Sequence, residues 1–262
     1  MLEIISKENA RLKTARAVRD GREDNLIFVE GLRLAEELAA TKLEIVDYFF
    51  TRQFAASGRG TNLLRLLPPD LGAILNDKLL SSISDTKTPP GIIVLARKPE
   101  TDQNLFLTNP ALLVVLHCLN NPANVGAILR TAEAAGATGA ILTRHSADPF
   151  SPKSLRGAMG SAFRLPLWIN ADWQEIIDFC RDHQIKMVGT AASAAPIYTE
   201  IDWRFSSALV IGSEAHGLAP AEIAQLDQNI CIPMQPPVES LNAAVACGVV
   251  LYEAFRQRSI AN

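Results

Sequence analysis

Residues 111–119 read Ala-Leu-Leu-Val-Val-Leu-His-Cys-Leu, a nearly continuous apolar run. A strand with one wet face alternates apolar and polar residues, whereas a strand covered on both faces does not, so this run predicts a strand inside a parallel sheet flanked by helices. The segments that follow support that reading. Helical patterns at 125–135, 153–162, 172–182, 220–226 and 241–256 are interleaved with strand patterns at 139–142, 164–169, 186–189, 208–212 and 229–232. Such alternation is the signature of an α/β domain. The last helix has Ser240 as candidate N-cap, and its body, LNAAVACGVVLYEAF, is apolar around most of its circumference. A helix of that kind is covered on several sides, and packing within one chain or against a second copy explains it equally well.

Upstream of the run, RKPETDQNLFLTNP at 97–110 is polar with a proline towards each end, as a connection between compact units is. The chain therefore divides into a small α/β domain at 1–99, a linker at 100–110 and a larger α/β domain at 111–262. Within the first, 1–22 reads as a polar helix with Leu12, Ala15 and Val18 at helical spacing. Strands are expected at 26–29, 44–50 and 91–96, with helices opening after Glu30-Gly31 and near 75–83.

The 262 residues carry 25 basic and 28 acidic side chains, a formal net charge of −3. That balance excludes a general nucleic-acid coat, so any contact with RNA has to be local. The first 100 residues hold 15 Lys and Arg against 14 Asp and Glu, while the remainder hold 10 against 14. Lys7, Arg11, Lys13 and Arg33 belong to the front cluster and read either as a solvated face or as one turned to RNA. Cys118, Cys180, Cys231 and Cys247 are far apart, with no CxxC, so neither a metal site nor a disulfide framework is expected. The absence of a signal-like N-terminus and of any long apolar segment leads to the expectation of a soluble, cytoplasmic protein.

Nucleotide loops are missing: there is no GxGxxG, and Leu218 and Ala219 stand where a P-loop would carry Lys and Ser or Thr after Gly212 and Gly217. Gly58 and Gly60 form a lone GxG in a polar stretch. His216, in GSEAHGL, reads as a polar loop residue without a catalytic duty. Three loops just after apolar strands are better candidates, because open α/β sheets bind ligands beyond the carboxyl ends of their strands. The first, Asn120 to Gly126, brings Asn121 and Asn124 to a helix start with Arg130 about two turns on; an ordinary Asn-Pro turn and a surface charge fit the same residues. The second, 209–217, has glycines on either side of Glu214, and the third, 230–242, is an irregular proline-rich loop ending in Ser240-Leu241-Asn242.

Taken together, NPANVGAILRTAEAAG, LVIGSEAHGL and IPMQPPVESLNAAVACGVVLYEAFRQR resemble, in order and spacing, the three signature motifs of the SpoU/TrmH family of RNA ribose methyltransferases. IFVEGLRLAEE resembles the small RNA-binding domain, similar to certain ribosomal proteins, that many members carry. SPKSLRGAMGSAFRLPL is similar to a segment of members that modify large-subunit ribosomal RNA. The resemblance implies a C-terminal SPOUT domain with an α/β trefoil knot, preceded by a small α/β RNA-binding domain. It also implies S-adenosylmethionine as cofactor, RNA as substrate and a homodimer.

On matching positions it places Thr190, Gly212, Ile232, Met234 and Leu241 around the cofactor, and Arg130, Asn124, Glu214, Ser240 and Asn242 in the catalytic site. Arg130 either takes the proton of the ribose hydroxyl or anchors an RNA phosphate while another group or water removes it; guanidinium resists deprotonation. Asn121 and Pro236 stand where many members have Asp and Gly. Ribosomal RNA is the expected substrate, with transfer RNA methylation, or a non-catalytic RNA-binding or ribosome-assembly role on the same fold, as alternatives.

Overall fold

The computed structural model describes residues 2–103, 109–191 and 196–260. By its contacts the chain forms two compact units, Met1–Pro99 with Pro149–Arg164, and Glu100–Asp148 with Leu165–Asn262. The segment 149–164, assigned to the second domain by the sequence reading, packs with the first unit. Of the expected linker, 104–108 lie outside the described residues.

The first unit runs β1 (Leu2–Glu3), α1 (Ala10–Arg19), β2 (Leu26–Glu30), α2 (Leu32–Ala39), β3 (Ile45–Thr51), α3 (Arg52–Ala56), α4 (Gly58–Leu66), β4 (Gly72–Leu75), α5 (Asp77–Ile83) and β5 (Ile92–Arg97). Its sheet has the order β1-β4-β3-β5-β2, antiparallel at β3–β5 and β5–β2 and otherwise parallel. Leu12, Ala15 and Val18 of α1 and Leu79, Leu80 and Ile83 of α5 close one core over Phe28, Phe49, Leu75 and Ile93. The expected helix at 1–22 is corrected at its start: Leu2 and Glu3 pair with β4, and Asn9 caps α1 by accepting from the Arg11 N–H at 2.9 Å.

Two further helices, α7 (Pro152–Ala158) and α8 (Ser161–Arg164), complete this unit. They replace the single helix expected at 153–162, because Met159 and Gly160 take left-handed backbone angles, φ 48° and 94°. Arg156 of α7 binds Asp85 at 2.7 Å, and Arg164 of α8 binds Glu37. Buried Glu30 accepts from the Asp85 N–H at 3.2 Å and from the hydroxyls of Ser84 and Thr86, so the 84–86 turn hangs on one carboxylate.

The second unit contains β6 (Leu112–Leu116), α6 (Pro122–Ala134), β7 (Gly139–Thr143), β8 (Leu167–Ala171), α9 (Trp173–Asp182), β9 (Lys186–Thr190), β10 (Ser207–Ile211), α10 (Pro220–Ile223), β11 (Gln228–Ile230) and α11 (Ala243–Ile260). All its strand pairs are parallel, in the order β11-β9-β10-β6-β7-β8. The apolar run that opened the analysis is β6, buried at every position between β10 and β7. Because the strands are parallel, the loops after β6, β9, β10 and β11 all leave the same edge, which is where a ligand site forms.

Ser240 does not cap the last helix. Asn242 does, its Oδ1 accepting from the N–H groups of Ala244 at 2.9 Å and Val245 at 3.4 Å. At the other end of α11, Arg258 donates to the carbonyls of Trp203 at 2.7 Å, Phe205 at 2.8 Å and Ala111 at 2.9 Å. No helix among the described residues is long and apolar enough to cross a membrane, and no group of His, Cys, Asp and Glu there is placed to hold a metal.

Candidate active site

A recess of about 670 Å³ opens where the loops after β9, β10 and β11 meet the start of α11. That volume lies within the range of small-molecule sites, roughly 300–1,000 Å³. Thr190, Gly212, Ile232, Met234 and Leu241, the expected cofactor residues, all line it, as do Glu214, Ser240 and Asn242. The β10 loop is pinched shut at its base: the N–H of Ser213 donates to the Gly217 carbonyl at 3.1 Å, and the N–H of Gly217 returns the bond at 2.9 Å. Gly212 is required by this closure, since a Cβ there would lie 2.4 Å from the Gly217 carbonyl carbon. The lining combines Ile, Leu, Met and Ala residues and the two loop glycines with Thr190, Ser213 and Ser240 and with the polar or charged Glu214, His216, Glu239 and Asn242.

Glu214 gathers the other loop. Its carboxylate accepts from the N–H of Asn120 at 3.2 Å, from the N–H of Asn121 at 3.1 Å and from the Asn124 amide at 3.1 Å. Asn124, only 8% exposed, accepts in turn from the Asn242 amide at 3.0 Å. One chain of hydrogen bonds thus links the loops after β6, β10 and β11. Desolvation pushes the Glu214 carboxyl up, but hydrogen bonds from its own N–H, from Asn124 and from the N–H groups of Asn120 and Asn121 together outweigh it, and the group sits below the ordinary carboxylate value.

Asn121 caps α6, its Oδ1 accepting from the Ala123 N–H at 3.0 Å. The amide makes the same cap as an aspartate and adds no second negative charge beside Glu214.

Arg130 is not brought into this recess. It is exposed on α6, six residues beyond Asn124 and so roughly 9 Å further along the helix at 1.5 Å per residue. Among the described residues it has no ion-pair partner. Of the residues proposed to meet RNA, Lys7 and Arg33 are exposed, and Lys13 pairs with Glu8 at 2.9 Å. Arg11 is committed inside its own unit, to Asp47 and to the Leu71 carbonyl, which removes it as a ready phosphate ligand.

The sequence reading weighed His216 and set it aside as a polar loop residue, and it did not single out Glu239; both line the recess. The position of His216 between the two loop glycines was the available signal. It also passed over His117, whose Nε2 lies 2.7 Å from Glu222 and whose ring packs on Trp173 at 4.7 Å, bracing the end of β6 against α10.

A family model described as the SpoU rRNA Methylase family matches residues 111–252. This chain belongs to that family. As a SpoU family member it is 29% identical over 260 residues to the 23S rRNA (guanosine(2553)-2′-O)-methyltransferase RlmP of Bacillus subtilis, covering 96% of this chain and 98% of that one. It is 30% identical over 264 residues to the 23S rRNA (uridine(2479)-2′-O)-methyltransferase of Streptomyces viridochromogenes, with 97% and 92% covered. Among solved structures it resembles the SpoU methyltransferase AviRb of Streptomyces viridochromogenes in complex with AdoMet, with a TM-score of 0.86, 28% identity, and 96% and 99% of the two chains covered. The likeness to these SpoU proteins extends along the whole chain, through both units.

Proposed function

We propose that this protein transfers the methyl group of S-adenosylmethionine to a ribose 2′-hydroxyl of ribosomal RNA, with the 670 Å³ recess as the cofactor site. The observation that carries the reading is the hydrogen-bond chain Asn242–Asn124–Glu214, which ties the three motif loops together at the rim of that recess. The recess suits the cofactor: apolar side chains can flank an adenine, and backbone groups and hydroxyls can meet its polar edges. When bound, the cofactor supplies an electrophilic methyl group on a sulfonium.

The protein's residues have to hold the ribose oxygen in line with that methyl group and ease loss of the hydroxyl proton. Glu214 is a holder rather than the base, because its oxygens are occupied by three donors and its acidity is raised. Arg130, exposed and without an ion-pair partner among the described residues, serves as the phosphate anchor, and the hydroxyl proton leaves to water or to another group in the assembled site.

The homodimer belongs to the same proposal. Val245, Tyr252 and Phe255 of α11 are 53%, 52% and 44% exposed and lie along one stripe, while Cys247, Val250, Leu251 and Ala254 fill the buried face. Pairing through that stripe covers the apolar surface and brings a second copy alongside α6, the Arg130 helix, which packs on α11. We place the protein in the cytoplasm, with ribosomal RNA.

Methyl transfer from labelled cofactor to ribosomal RNA tests the activity. Transfer by the wild type that is lost in Arg130→Ala, while cofactor binding persists, supports the assignment. Absence of transfer by the wild type, or full activity of Arg130→Ala, overturns it. Ribose methylation mapped in a strain lacking the protein identifies the nucleotide.

A further inference from the structure

The first unit contains a second recess, of about 530 Å³, that no part of the catalytic reading uses. Its construction is specific. Gly91 and Gly31 take left-handed backbone angles, φ 87° and 101°, and let the Pro89-Pro90 segment lie close to its neighbours. A Cβ on Gly91 would stand 3.0 Å from the Phe54 Cβ, and one on Gly31 would stand 3.5 Å from the Pro90 ring. Phe54, only 8% exposed, backs the recess, and the half-buried Pro89 and exposed Pro90 supply its accessible apolar surface.

Three polar side chains edge that surface: Gln53, Asp77 and Ser81 line the recess, are exposed, and make no side-chain hydrogen bond within the described residues. Cations lie next to these segments in the chain. Arg33 follows the lining residue Leu32, Lys78 follows Asp77, and Lys87 precedes Pro89 by two positions; all three are exposed and have no ion-pair partner among the described residues.

Proline rings, exposed polar side chains at the edge and cations without an ion-pair partner among the described residues are what a splayed-out nucleobase needs: a stacking surface, hydrogen bonds to its edge and charge for the flanking phosphates. We infer that this recess holds a single unpaired nucleobase of the RNA substrate, at a distance in the chain from the methyltransferase motifs. The inference rests on RNA being the substrate. Asp77 narrows the choice of base. An ionised carboxylate only accepts hydrogen bonds, so it favours a base with an exocyclic amino group, as when an acidic side chain accepts from N4 of cytosine. Uracil presents a carbonyl there and is disfavoured.

The test uses the full-length protein and fluorescent single-stranded oligocytidine and oligouridine, with binding read by anisotropy. The wild type should prefer oligocytidine. The double variant Gln53→Ala/Ser81→Ala should bind oligocytidine at least about fivefold more weakly, the lower end of what two neutral hydrogen bonds contribute. Asp77→Asn should erase the preference for cytidine. All three positions are exposed, so the fold should persist, and S-adenosylmethionine affinity should be unchanged throughout.

Unchanged RNA binding in the variants overturns the inference, as does an equal loss for both oligonucleotides or a wild type that binds neither. Methyl transfer to ribosomal RNA, measured on the same preparation, separates the two failures. Transfer without recess-dependent binding leaves the catalytic reading standing and removes this one, whereas absence of transfer removes the catalytic reading.

Discussion

Replacing Asn124 probes the hydrogen-bond chain at its middle link. Its amide donates to Glu214 at 3.1 Å and its carbonyl accepts from Asn242 at 3.0 Å. Asn124→Ala removes one bond to a charged acceptor and one between neutral groups, contributions of about 1.5–3 and about 0.5–1.5 kcal/mol. Glu214 and Asn242 are exposed and can turn to water, so the lower end applies, about 2 kcal/mol. If that loss falls on the transition state, kcat/KM drops about 30-fold.

Asn124→Asp is the sharper variant, since it is nearly the same size but replaces the donor by a second carboxylate about 3 Å from Glu214. Like charges that close disfavour joint ionisation. The aspartate variant should therefore be worse than the alanine variant at neutral pH and recover relative to it as pH falls and one carboxyl takes up a proton. The assay is initial-rate methyl transfer at RNA concentrations well below KM, which reads kcat/KM, across a pH series, with cofactor affinity measured in parallel. An aspartate variant as active as wild type, or more active than alanine at neutral pH, would refute the role given to this chain.

Gly212→Ala sets a methyl group against the Gly217 backbone, with 2.4 Å to its carbonyl carbon, and should abolish measurable cofactor binding by calorimetry while far-ultraviolet dichroism stays close to wild type. The Glu214 carboxyl lies below its ordinary value of 4.5, so the stability it contributes is complete above that value and is lost as pH falls through the lower, folded one; the difference in melting curves between wild type and Glu214→Gln should be constant from neutral pH to about 5 and shrink below it. Burial raises the Cys180 thiol to about 12 and pushes Cys247 upward as well, so a thiol reagent should label the part-exposed Cys118 and Cys231 first, by peptide mass spectrometry, and reach the other two only on unfolding.

The sheet of the second unit was legible because its strands carry their signal inside themselves: Leu112–Leu116 and Ser207–Ile211 are apolar at almost every position and buried at all of them. The site was legible in part for a related reason, since loops after such strands are forced to one edge, and the motif residues Asn124, Glu214 and Asn242 do meet there. What escaped depends on contacts distant in sequence. Residues 52–66 carry Ser57, Gly58 and Gly60, which read as a polar loop, yet they form α3 and α4. Ser57 caps the second of these helices at the Gly60 N–H. Gly60 is required because a Cβ would stand 2.0 Å from the Phe54 carbonyl oxygen. The break at Met159-Gly160 and the packing of 149–164 with the first unit likewise depend on partners, Glu37 and Asp85, more than sixty residues away. Arg130 was legible as a motif residue, but its place outside the recess was not, because helical periodicity gives a direction only relative to its own axis.

The grip of Glu214 on the loop after β6 is made through main-chain N–H groups at Asn120 and Asn121. A main-chain donor is blind to the side chain it carries, so position 120 is open to mutational drift, with proline alone shut out. Position 121 is narrower, since it must also cap α6, which admits serine, threonine, asparagine, aspartate or glycine. The geometry can thus stay fixed while the letters change, and a library randomised at 120 should return nearly every residue while one at 121 returns five.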